Sequence, residues 1–63
     1  MDLWGKINKQ LIKQNLTIYA LTKKSGIAEN ILYELKSGRT NDLKFSTICK
    51  IAAALDVSLD EFK

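Results

Sequence analysis

Four polar side chains, Glu29, Asn30, Tyr33 and Glu34, carry the densest hydrogen-bonding chemistry in this chain. The Asn30 amide donates and accepts at once, so it matches the N6 and N7 edge of adenine bidentately, and Glu29 or Glu34 can accept from cytosine N4. Tyr33 can lay its ring against a thymine methyl group or donate its hydroxyl to a phosphate. A second set, Thr17 with Arg39, Thr40, Asn41 and Lys44, offers hydroxyl, guanidinium, amide and ammonium donors of the kind that grip phosphate oxygens without reading sequence. Two carboxylates on such a face are repelled by phosphates unless a base donor or a lysine satisfies them. Glu29 also suits a helix N-terminus simply as a charge on the helix dipole, and Glu34 suits a solvated position near Lys36.

Catalytic chemistry has little to build on. The chain has no His and a single Cys, and it lacks both a cluster of metal-ligand spacing and a phosphate-binding glycine loop. Glu29 and Glu34 stand five apart and would need a cleft to work as an acid/base pair, which so small a chain does not offer. Cys49, with no His to activate it, reads as a small, half-buried apolar side chain. No enzyme activity, metal or cofactor is expected.

The 63 residues leave room for one small core, so residues 1–63 are read as a single domain held by packing alone. A hydrophobic fraction of 46%, no Pro and only three Gly argue against disorder. Cys49 cannot form an internal disulfide, no apolar run approaches the roughly 18 residues that span a bilayer, and lysines interrupt any signal-peptide core. A cytoplasmic location is expected, and Met1 suggests a native start. Net charge is +3 but uneven: residues 1–50 hold nine Lys/Arg against four Asp/Glu, and residues 51–63 hold one against three. The basic part suits a polyanion, although a solvated lysine surface would look the same.

The elements that must position these groups are helices. Leu3, Ile7 and Leu11 fall four apart in a first helix from Asp2 to about Gln14, with Trp4 and Ile12 widening the stripe and Asn15 as a left-handed stop. Thr17 caps a second helix to about Lys24 that carries Ala20 and Leu21 inward. Gly26 ends it, and Ile27 anchors the turn into a third helix from about Ala28 to Lys36 or Ser37. Helix, Gly, helix is the pattern of a helix-turn-helix. On the third helix Ala28, Leu32 and Leu35 share one side, with Ile31 at its margin, and Asn30, Tyr33 and Ser37 lie opposite. After a polar turn from Gly38 to Asp42, Phe45, Ile48, Ile51, Ala52 and Leu55 mark a fourth helix. The Ser58-Leu59-Asp60-Glu61 spacing of a capping box then starts a short fifth helix that turns Leu59 and Phe62 inward.

With these segments in place, the chain resembles the lambda-repressor-like, Cro/Xre-type helix-turn-helix family of small phage- or plasmid-type regulators. The likeness runs from about Ile7 to Phe62, carried by LTIYALTKKSGI, ILYELKSGRTND and STICKIAAALDVSLDEF. It implies an all-α, compact five-helix bundle whose third helix enters the major groove. It puts Glu29, Asn30 and Glu34 at base-reading positions beside Ala28 and Tyr33. Thr17 and Ile18 would stand at a phosphate-contacting helix start, and Arg39, Thr40 and Asn41 in a phosphate-contacting loop. Ile18 stands where many members have Gln, Ala28 where they have Ser or Thr, Leu43 where Pro is frequent and Asp56 where Gly is frequent. Members usually bind as two-fold dimers through their last helices. Val57, Leu59 and Phe62 could supply such a surface or simply close the core, and the short tail leads to the expectation of pairing that is weak or occurs only on DNA.

The leading expectation is therefore a sequence-specific, double-stranded DNA-binding transcriptional regulator, a repressor acting by occupying an operator. The alternative, motivated by the acidic third helix, is a protein-binding module on the same fold, of antitoxin-like or anti-defence type.

Overall fold

Every helix of this chain ends on a residue with positive φ, and those four stops decide how it folds back on itself. They are Asn15 (57°), Gly26 (74°), Gly38 (86°) and Asp56 (56°). In the computed structural model, which describes residues 2–62, the helices are α1 (Leu3–Gln14), α2 (Ile18–Ser25), α3 (Glu29–Ser37) and α4 (Phe45–Leu55), followed by a short 3-10 turn at Leu59–Phe62. Met1, read as a native start, and Lys63 lie outside the described residues.

Three of the stops share one hydrogen-bond pattern. The amide of the residue after the stop reaches back five residues: Leu16 to Leu11 (2.8 Å), Arg39 to Glu34 (3.0 Å) and Val57 to Ala52 (3.0 Å). This is a Schellman turn, which satisfies carbonyls that the helix end leaves unpaired. Leu16 and Val57 then pack against the core. At the fourth stop, Gly26 makes one bond, to the Thr22 carbonyl (2.9 Å), and the chain turns directly into α3. Asp56 takes the left-handed conformation that Gly adopts most readily; Asp and Asn are the non-Gly residues that tolerate it best.

The core is made of Ile7 and Leu11 from α1, Leu21 from α2, Ile27 from the turn, Leu32 and Leu35 from α3, Ile51, Ala52 and Leu55 from α4, and Phe62 from the tail. Packing of α2 against α4, and of α3 against both α2 and α1, turns the opposite side of α3 outward. Two glutamines of α1 tie down the C-terminal part: Gln10 Nε2 donates to Glu61 Oε1 (3.0 Å) and Gln14 Nε2 donates to the Leu55 carbonyl (2.8 Å).

Four sequence expectations need correction. The fifth helix is a four-residue 3-10 turn, in which the Glu61 amide bonds the Ser58 carbonyl three residues back (3.1 Å). The capping box does not close because Glu61 accepts from Gln10, and the Ser58 hydroxyl accepts instead from the Asp60 amide (3.2 Å). Ile12 is 72% exposed while Gln10 is 4% exposed. At 3.6 residues per turn, Gln10 stands roughly 60° from Ile7 and Ile12 roughly 140°, so the glutamine falls within the buried arc. Phe45 is 71% exposed, since periodicity gives the inward face of α4 but not how far along it the packed neighbours reach. Ala28 is exposed because it is the N-cap of α3, outside the helix whose apolar side it was expected to share.

Gly26 tests this arrangement. A Cβ there would meet nothing within 4 Å, so Gly26→Ala probes the left-handed backbone and not a clash. It should lower unfolding stability by about 1 kcal/mol, read as an earlier denaturant midpoint at unchanged slope.

Candidate nucleic-acid interface

The outer side of α3 is lined by Glu29, Asn30, Tyr33, Glu34, Lys36, Ser37 and Arg39, which together border one shallow, open depression. All seven are exposed, while Leu32 and Leu35, on the other side of the same helix, are buried. Asn30, Tyr33, Glu34 and Ser37 recur at three and four and so share one stripe. Tyr33 keeps 47% of its surface exposed, so its ring does not serve the core. The four expected base-reading residues therefore stand together and unburied.

Arg39 is held on this side by backbone geometry. The Glu34 carbonyl accepts from the Arg39 amide (3.0 Å), the Thr40 amide (3.4 Å) and the Ser37 hydroxyl (3.0 Å), which draws the turn back onto the end of α3. In the other two Schellman turns the residue equivalent to Arg39 is apolar and packed, Leu16 or Val57. Here it is an exposed arginine bordering the α3 depression.

The remaining phosphate-type residues divide. Thr17 is exposed, and its hydroxyl oxygen caps α2 by accepting from the Ala20 amide (3.0 Å), leaving the O–H as a donor. Ile18 packs its side chain partly against the core. The Thr40 amide is turned toward Glu34 and its hydroxyl donates to the Asp42 carbonyl (3.1 Å), which leaves exposed Asn41 as the freer member of the pair. Lys44 is the exposed N-cap of α4. Leu43, where Pro is frequent, donates its amide to Asp42 Oδ1 (2.9 Å), a bond Pro could not make.

The first turn of α3 has no side-chain cap, because Ala28 carries no acceptor where Ser or Thr is frequent. Glu29 sits in that turn, where its negative charge complements the partial positive charge of the uncapped amides. In the tail, Phe62 is buried in the core, and Val57 and Leu59 pack against it while staying partly exposed. Among the described residues no cluster of His, Cys, Asp or Glu could hold a metal ion, and no helix is long and apolar enough to cross a membrane.

A family model for the Cro/C1-type HTH DNA-binding domain matches residues 6–62. The chain belongs to that family. Among the described residues it has four α-helices and a 3-10 turn, and the family identifies it as a DNA-binding regulator. No curated protein and no solved structure matches it.

One feature of this Cro/C1-type chain escaped sequence reading. Tyr19, 57% exposed on α2, holds the Lys23 ammonium 5.2 Å from its ring centroid. The i to i+4 spacing was the available signal, but Tyr at an outward helix position has no composition cue of its own.

Thr17 offers a direct check on what positions the start of α2. Thr17→Ala should cost about 1 kcal/mol of stability through loss of the cap, whereas Thr17→Ser should retain most of it, measured by reversible thermal unfolding.

Proposed function

We propose that this protein is a sequence-specific, double-stranded DNA-binding transcriptional repressor that inserts α3 into the major groove and acts by occupying an operator. The observation that carries the reading is the free outer stripe of α3 in a Cro/C1-type chain: Asn30, Tyr33 and Glu34 are exposed beside Arg39. Asn30 pairs with adenine, Glu29 and Glu34 accept from cytosine amino groups, and Tyr33 meets a thymine methyl or a phosphate. Arg39, Asn41, Lys44, the Thr17 hydroxyl and the Ile18 amide hold phosphates on either side of the reading helix. Pairing is two-fold on half-sites about one helical turn apart and forms chiefly on DNA. Among the described residues, Ile12 and Phe45 are exposed apolar side chains, and Val57 and Leu59 stay partly exposed.

A second reading rests on the two exposed carboxylates of α3. The same stripe would suit a basic protein partner, as in an antitoxin-like or anti-defence module. A stoichiometric complex with a protein, abolished by Glu34→Lys, would favour it.

Selection of duplexes from a random pool at near-physiological salt should enrich a two-fold symmetric motif. Asn30→Ala should then flatten the preference at one base pair per half-site, a discrimination of about 1–3 kcal/mol. Arg39→Gln should weaken all sequences alike and lower the slope of log affinity against log salt by about 1. A pool that stays random, with only salt-sensitive retention, would contradict specific readout.

A further inference from the structure

The depression on α2 bordered by Tyr19, Thr22 and Lys23 extends across the turn, through Gly26 and Ile27, to Glu29. Glu29 also borders the depression on the outer side of α3. The two surfaces are thus continuous through Glu29, and Lys23 stands at the edge of the reading face and not behind it. Its ammonium is positioned by the Tyr19 ring at 5.2 Å, one helical turn earlier. A lysine on a flexible stem normally loses rotamer freedom when it grips a ligand, and an aromatic face that already places the charge reduces that loss. Tyr19 is 57% exposed, so much of its side chain stays open on the surface of α2. Thr22, between the two, is spent locally, donating its hydroxyl to the Tyr19 carbonyl (2.7 Å).

We infer that Tyr19 and Lys23 form a backbone-gripping pair in which Lys23 contacts a DNA phosphate flanking the base pairs read by the start of α3, and Tyr19 holds the ammonium in place. The inference rests on the DNA-binding reading above and extends it by one phosphate contact outside the Thr17 and Arg39 sites. Glu29 borders the same depression as Lys23, so an acidic and a basic group share this surface.

The test measures affinity for the duplex enriched by the wild-type chain over a range of salt. Lys23→Gln should lower the salt slope by about 0.9, the share of one phosphate contact, and leave the enriched motif unchanged. Lys50→Gln, which removes one exposed charge from α4, should leave the slope as it is. Tyr19→Leu should weaken binding roughly two- to fivefold at unchanged slope, since the charge stays and only its placement is lost. Tyr19→Phe, which keeps the ring, should bind as the wild type does. An unchanged slope in Lys23→Gln, or an equal fall in Lys50→Gln, overturns the pair while leaving the DNA reading intact. Wild-type protein that retains no duplex overturns both.

Discussion

The corner between α2 and α3 rests on Leu21 and Leu32, both fully buried, packed on either side of a left-handed Gly26. Burying each leucine contributes about 1.5–3 kcal/mol, and no disulfide is available to share the task, since Cys49 is the sole cysteine. Ile27 continues that packing across the turn. With α2 seated on α4 and α3 on α1 and α2, α3 is held through its Leu32 and Leu35 side while its outer stripe stays exposed. That separation lets Asn30, Tyr33 and Glu34 answer to a ligand's chemistry and not to the protein's own packing.

Electrostatics adds the second layer. Arg39 occupies the position that two other helix ends give to packed apolar residues, and the Glu34 carbonyl pins its backbone to α3. Lys23 on α2 and Lys44 at the start of α4 border depressions that also hold Glu29 and Glu34, the two carboxylates of the reading helix. In the proposed mode, cations and amides supply affinity without sequence information, and the carboxylates penalise any base that cannot donate to them. A negatively charged reading face lowers general DNA affinity more than it lowers affinity for the right site, which sharpens discrimination.

Local chemistry made much of this legible in the sequence. Thr17 as a cap, Gly26 and Gly38 as stops and Asn15 in the left-handed region follow from what single residues can adopt, and the inward faces of α2 and α4 follow from periodicity. The exposed stripe of α3 was legible as the complement of Leu32 and Leu35. What failed depended on distant neighbours. Glu61 looked like half of a capping box until Gln10, far away in the chain, took its carboxylate, and the tail became a 3-10 turn. Ile12 and Phe45 satisfied a hydrophobic pattern but lie where no element covers them. The Tyr19–Lys23 pair was invisible for a different reason: neither residue type marks an outward helix position as functional.

Amide chemical-shift mapping of the isotope-labelled protein, titrated with the duplex it retains from a random pool, tests the central claim most directly. The account predicts the largest changes along Glu29–Ser37, at the start of α2 and around Arg39 to Asn41, with α1 and the Leu59–Phe62 turn little affected. Changes concentrated on α1 and the tail, with α3 silent, would contradict it.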